Sequence, residues 1–262
     1  MTDNLRHAQY TSVGTQIDDP QKLYGDVAQN PSSKLLVGED GSALSPLGPR
    51  FTLANLLANY PASASNAGES VIIADVGIPG IGVVVVSDGT SWRPFNGSQL
   101  LHRSQGSILA PLASISAVGK LVLPGGAMVT AGSIVLPANL LAVVGSGIEV
   151  SAKIRHTGTA GAWNAAAKVG TLDNSTDNTF AFFIGTAVTD QDVPLKNAMY
   201  TLTSTTFISG GYAPPNTASP GSFTLKNTQY NTAAQMYLGL YSSTLTGPDT
   251  VNLLQLEVYW KG

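Results

Sequence analysis

Apolar residues along the chain fall into short runs separated by glycine, proline and small polar residues. Val71–Ala74 and Ile81–Val86 are two such runs, and Val and Ile favour strands because their branched side chains lose rotamer freedom in helices. Asp88-Gly89 can supply the positive φ of a tight hairpin turn, and a return strand begins at Ser91. Residues 69–97 are therefore predicted to form a small β-meander module.

Similar runs recur in the C-terminal part, with turn residues between them. The predicted strands are Lys120–Leu123, Ser133–Leu136, Gly147–His156, Ala165–Leu172, Thr179–Gly185, Ala198–Ser209, Gly221–Lys226, Gln235–Tyr241 and Val251–Trp260. Apolar and polar residues alternate in Gly147–His156 and in Val251–Trp260, which places one face in a core and the other in water. Strands at this spacing without a helical pattern predict an all-β fold, a jelly-roll-like β-sandwich over residues 119–262. Residues 98–118 are predicted to be a connector.

One short helix is predicted between the N-terminal region and the meander, within residues 51–68. Thr52 can cap its N-terminus, and Pro61 ends the helical pattern. Leu53, Leu56 and Leu57 fall on one face. Because about two turns are too short to be stable alone, this leucine face must be covered. Either three copies pack it around an axis or the same chain covers it.

Residues 1–50 are irregular, because prolines and glycines interrupt every apolar piece. They are interpreted as an extended arm that becomes ordered on docking, since a solvated tail rarely carries so many Tyr, Ile and Leu residues. A flexible tail is the alternative.

Composition excludes several classes of protein. Only 11% of the 262 residues are charged, the net charge is −3 and 43% are hydrophobic, which argues against disorder. The 13 basic residues are scattered, so neither nucleic-acid binding nor membrane-surface binding is predicted. Cysteine is absent. Neither a signal peptide nor a membrane-spanning run is apparent, and a soluble protein is expected.

The segment SDGTSWRPFNG, residues 87–97, resembles a small hairpin module that is common in bacteriophage tail-fibre and receptor-binding proteins. The resemblance implies a virion protein, usually a homotrimer. It also implies that the N-terminal arm attaches to other virion proteins of the tail, collar or capsid. The distal β-domain would bind a glycan or protein of the host cell surface. In such a trimer, Leu53, Leu56 and Leu57 would pack between copies.

No enzymatic activity, cofactor or metal is predicted. His7, His102 and His156 lie in different segments without ligand spacing, although a trimer axis could bring together three copies of His102. The segment Asp173–Asn178 resembles half of a calcium loop, but it lacks the glycine and the distal glutamate, so a polar hairpin is favoured. Glycan hydrolysis would need paired carboxylates, and the few acidic residues of this part lie mostly in predicted turns.

Two aromatic residues are predicted to lie at an exposed tip and to contact a receptor, namely Trp163 and Tyr212. Trp92 and Trp260 are expected to pack inside their own modules. The resemblance favours a tail fibre. A capsid fibre or decoration protein, a surface-polysaccharide hydrolase and a cellular lectin-like module are the alternatives.

Overall fold

The computed structural model describes residues 50–126, 128–158, 163–185, 191–209, 224–226, 229–242, 245 and 249–262. The arm predicted over residues 1–50 thus lies outside the described residues, apart from Arg50. The described residues form two compact units, of which the first contains residues 50–75 and 80–96 and the second contains residues 76–79 and 97–262.

The first unit is a four-stranded sheet with one helix. Its elements are β1 (Arg50–Phe51), α1 (Leu53–Asn59), β2 (Ser70–Ile73), β3 (Val83–Ser87) and β4 (Trp92–Pro94). The strand order is β1-β2-β3-β4, with β1 parallel to β2 and the other pairs antiparallel. The predicted meander is confirmed, and the helix belongs to the same unit.

Helix α1 begins as the sequence predicts. The Thr52 side chain accepts a hydrogen bond from the Asn55 N–H at 3.2 Å, and Asp75 Oδ1 accepts from the Leu53 N–H at 2.8 Å. These two acceptors satisfy N–H groups that have no partner within the helix. Leu53 and Leu56 are buried in the same chain, which supplies the covered face that so short a helix needs.

Two groups of side chains hold the first unit together. Tyr60 stacks between Phe51 and Trp92, with ring centroids 5.8 and 5.9 Å away, and its backbone carbonyl accepts from Trp92 Nε1 at 3.0 Å. Asn66 is buried, and its side chain accepts from the Ser63 N–H and the Ser87 hydroxyl. Because Trp92 is buried here, the expectation that it packs inside its module is confirmed.

The second unit contains the remaining described strands, in two sheets. They are β5 (Ser98–Gln105), β6 (Ala113–Ile115), β7 (Gly119–Leu121), β8 (Val129–Thr130), β9 (Ser133–Leu136), β10 (Gly147–Thr157), β11 (Trp163–Gly170), β12 (Asn178–Gly185), β13 (Gln191–Thr203), β14 (Thr206–Ser209), β15 (Thr224–Lys226), β16 (Met236–Ser242) and β17 (Thr250–Lys261). One sheet has the order β15-β14-β13-β10-β17-β5, with β6 also paired to β17. The other has the order β12-β11-β16-β9-β8, with β7 also paired to β16.

This strand order is that of a jelly roll. The run β5-β17-β10-β13 in one sheet and the run β9-β16-β11-β12 in the other interleave along the chain, and all pairs within them are antiparallel. Such interleaving arises when a long hairpin folds over on itself into two sheets. The predicted all-β sandwich is therefore confirmed.

Two sequence predictions about strands are corrected. Residues 98–118 are not a simple connector, because β5 and β6 within them pair with β17. The sequence of β5, SQLLHRSQ, lacks the β-branched residues that mark a strand locally, and its partner lies some 150 residues away. The predicted strand Ala198–Ser209 is two strands, β13 and β14, joined by a turn at Thr203–Thr206.

The core lies between the two sheets. Alternate residues of β10 are buried from Ile148 to His156, and β17 buries Val258 and Trp260 on the same side. His156 meets Trp163 of the opposite sheet, with ring centroids 5.1 Å apart and planes within 5°. Because Trp260 is only 2% exposed, its expected packing is confirmed.

Candidate binding face on the sandwich

Trp163, predicted at an exposed tip, is in fact a core residue. It begins β11 and is 1% exposed, with its ring stacked on the buried His156. The prediction of an exposed contact is wrong because the strand places this side chain on the inner face. Because glycines precede Trp163 in the sequence, the segment is predicted to be a loop and not a strand. Tyr212, the other predicted contact, lies outside the described residues.

The predicted leucine face divides into buried and exposed parts. Leu53 and Leu56 are buried within one chain, so they need no second copy to cover them. Leu57 is 38% exposed on the same helix. Of the three residues predicted to pack in a trimer, Leu57 is therefore the one left with free apolar surface.

The histidines and the acidic turn do not form a metal site in the described part of the chain. No group of three or more His, Asp or Glu side chains there could hold an ion. Asp173 pairs with Lys120 at 2.9 Å, and Asp177 accepts from the Leu172 and Asn174 N–H groups. Burial raises the pKa of Asp177, against the lowering effect of those backbone hydrogen bonds. The favoured polar hairpin accounts for these contacts.

His102 lies on β5, and its Nε2 is 2.6 Å from the Ser104 hydroxyl. Burial lowers the pKa of His102. The imidazole is therefore held in its neutral form at neutral pH, and its nearest polar partner is supplied by its own strand.

Charged residues concentrate on the outer face of the sheet that contains β10. Polar residues of β10 alternate with its buried ones, and the antiparallel register places polar residues of β13, β17 and β5 beside them. We define the charged sheet face by eight residues of these four strands, namely Arg103, Glu149, Lys153, Arg155, Asp192, Lys196, Glu257 and Lys261.

Each carboxylate of the charged sheet face has a cationic partner. Asp192 lies 3.2 Å from both Lys153 and Arg155. Glu149 lies 3.6 Å from Lys196 and 3.7 Å from Lys261. Each of these two groups, called triads below, contains one carboxylate and two cations. Each triad therefore has a formal charge of +1.

The third carboxylate forms a pair. Glu257 lies 3.0 Å from Arg103, and it also accepts hydrogen bonds from the Tyr259 hydroxyl at 2.9 Å and from Gln255 Nε2 at 3.4 Å. The hydrogen bond to Tyr259, followed by the charge of Glu257, raises the pKa of Arg103. Tyr259 and Gln255 are only partly covered, so an aromatic ring and an amide lie among the charges.

The sequence reveals two strands of this face but not their pairing. The alternation in β10 places Glu149, Lys153 and Arg155 on one side, and that in β17 places Glu257 on its polar side. The partners from β13, β17 and β5 are separated from β10 along the chain, and only the register brings them together. Sequence analysis therefore missed the face, and the scattered positions of its basic residues gave no sign of a cluster.

No protein-family model and no curated protein matches the chain. Similar solved structures include Eiger, a TNF protein of S. frugiperda, with 9% identity, 61% of this chain and 90% of that chain covered, and a TM-score of 0.35. Another is the CBM2 module of the evolved Dit protein from Lactobacillus casei BL23 phage J-1, with 6% identity, coverages of 63% and 96%, and a TM-score of 0.33. The T13 particle of IBDV shares 13% identity, with coverages of 71% and 44% and a TM-score of 0.23. Similarities this low assign no function to the chain.

The part of the chain that the structure describes contains no helix with the length and hydropathy of a membrane span.

Proposed function

We propose that this chain is a structural protein of a phage virion, a trimeric tail fibre that attaches through its N-terminal arm and binds the host cell surface through its β-sandwich. The chain works by binding and assembly, without catalysis. Because one weak contact per subunit is multiplied on a rigid trimer, a repetitive cell surface is bound with high avidity.

The first support is the segment that carries the resemblance. Asp88 accepts hydrogen bonds from the Thr90 and Ser91 N–H groups at 2.8 and 2.7 Å, and its other oxygen pairs with Arg93 at 2.8 Å. These contacts, that of Arg93 first, lower the pKa of Asp88 and keep it ionised. Residues Asp88–Arg93 of the motif thus build a defined turn in the first unit.

The observation that carries the binding half of the proposal is the charged sheet face. A chain with only 11% charged residues places eight of them on one open sheet face. Burying that face in the monomer would cost free energy, and it offers oriented charges to a partner.

The test is binding of the labelled full-length chain to a panel of bacterial strains, with unlabelled chain as competitor. We expect saturable binding to a few strains and none to the others, because a receptor differs between strains. A folded trimer that binds no strain, or that binds every strain without saturation, would contradict host recognition. If an antibody against the chain labels the capsid, the protein belongs to the head of the virion and not to the tail.

A further inference from the structure

We infer that the charged sheet face binds an anionic glycan, a sugar polymer that carries a negative charge on its repeating unit. The inference rests on the proposed function for the source of this glycan, the bacterial cell surface. It adds the chemical class of the receptor and the residues that hold it.

Exposure gives the face its sign. The side chains of Lys196, Arg103 and Lys153 are 65%, 56% and 50% exposed. The three carboxylates are less exposed than these cations, with Glu257 at 18%, Glu149 at 21% and Asp192 at 33%. The other two cations, Arg155 at 21% and Lys261 at 26%, are about as buried as the carboxylates. The three most exposed charged groups of the face are therefore positive. Five cations and three anions give this face a formal charge of +2 in a chain of net charge −3.

Neutral polar groups between the charges fit sugar hydroxyls. Ser151 lies between Lys196 of β13 and Glu257 of β17 in the register. Gln255 and Tyr259 flank Glu257 on β17, and both are only partly covered. Hydroxyl and amide groups donate and accept hydrogen bonds, and a Tyr ring offers a flat apolar surface to a sugar ring.

Charge density distinguishes an anionic glycan from a nucleic acid as the ligand of the charged sheet face. Duplex DNA carries one negative charge per roughly 1.7 Å of its axis, and proteins meet it with dense basic surfaces. Here an acid separates the cations within each triad, with Asp192 between Lys153 and Arg155 and Glu149 between Lys196 and Lys261. Sparse, fixed cations fit a polymer with about one charge per sugar.

The experiment compares two double variants of the full-length chain. Lys153→Gln with Lys196→Gln removes one cation from each triad, while Arg155 and Lys261 still pair with the carboxylates, so no acid loses its last partner. The control, Arg50→Gln with Arg93→Gln, removes the same charge from the first unit, away from the charged sheet face, and leaves Asp88 its two backbone N–H donors. Unfolding temperatures verify that each variant is folded.

Fluorescent polygalacturonate is the probe, with neutral dextran and duplex DNA for comparison, in a buffer of about 50 mM salt. We expect polygalacturonate to bind, and the affinity to fall about three- to tenfold in the Lys153/Lys196 variant but to change less than twofold in the control, as exposed ion pairs imply. Glu149→Gln removes the carboxylate that pairs with Lys196 and Lys261, and it is expected to raise the affinity for polygalacturonate. If these ion pairs only stabilised the fold, the affinity would not rise.

Four results with the soluble probes would overturn the inference: no binding of polygalacturonate, equal losses in the two double variants, equal binding of dextran, or tighter binding of DNA. The same variants are added to the bacterial strains. Cell binding that is unaffected by Lys153→Gln with Lys196→Gln would overturn the inference and leave the proposed function standing. The opposite result is also informative. If Lys153→Gln with Lys196→Gln weakens the binding of polygalacturonate but the chain binds no bacterial strain, the inference is supported and the proposed function is not.

Discussion

Asp88 is a single residue that organises the turn of the first unit. Its carboxylate accepts from two backbone N–H groups and from Arg93, while Gly89 beside it has a φ of 89°. Such a φ is costly for residues with a Cβ, and a carboxylate that spans the turn satisfies donors that the hairpin leaves open. The Asp-Gly pair read from the sequence therefore predicts this turn correctly.

His102 makes stability depend on pH. Burial lowers its pKa below the ordinary 6.5, so between these two values the unfolded chain binds more protons than the folded chain. The contribution of neutral His102 to folding is therefore complete above about pH 6.5 and is lost as the pH falls towards the folded value.

The variant His102→Gln removes this titration. We expect the free energy of unfolding of the wild type to fall more than that of the variant between about pH 7.5 and about pH 5.5. Urea unfolding at both pH values measures the two differences. Equal differences would show that His102 does not titrate with folding.

At the scale of elements, β17 explains why the sandwich begins earlier than the sequence predicts. It lies between β10 and β5 and also pairs with β6, so the last strand of the chain joins the first strands of the unit. Because β5 and β17 are distant along the chain, no local sequence pattern indicates that they pair. Among the described strands, β5 lies at the edge of its sheet and pairs with β17 alone.

Gly147 allows β10 and β13 to approach closely, because it has no Cβ. A Cβ at this position would lie 1.9 Å from the Met199 carbonyl oxygen, an atom of the backbone that cannot rotate away. Gly147→Ala is expected to lower the free energy of unfolding by about 1–3 kcal/mol, the usual cost of overpacking.

Gly125 provides the control for that substitution. A Cβ there would have no atom within 4 Å, and Gly125→Ala is expected to change stability by less than about 0.5 kcal/mol. Thermal unfolding of both variants tests the pair. Similar unfolding temperatures for the two would mean that β10 and β13 shift to accept the methyl group.

At the scale of the molecule, the two sheets of the second unit differ in how their outer faces are covered. One sheet presents the charged sheet face, whereas β11 and β16 of the other sheet are buried along nearly their whole length. The charged sheet face therefore offers side chains to a partner that β11 and β16 do not offer, which is why the proposed recognition is placed there.

The proposed trimer predicts a mass of about three times 27.0 kDa for the full-length chain in solution. Leu57→Glu is expected to reduce this mass to that of one chain, because a charge would enter an apolar contact between copies. Light scattering measures the mass. Ile81→Glu is the control, since Ile81 is 62% exposed in the same unit. A wild-type monomer, or a trimer in Leu57→Glu, would contradict the predicted packing of Leu57.

The sequence by itself determined the all-β class, the meander, helix α1 and most strands of the sandwich, because each depends on residues that are neighbours along the chain. Alternation in β10, the cap at Thr52 and the Asp-Gly turn are local signals of this kind. Only the tertiary structure decided that Trp163 is buried, that β5 belongs to the sandwich and that eight charges share one face. Those features depend on register between distant strands, and a shift of one residue would exchange the inner and outer faces.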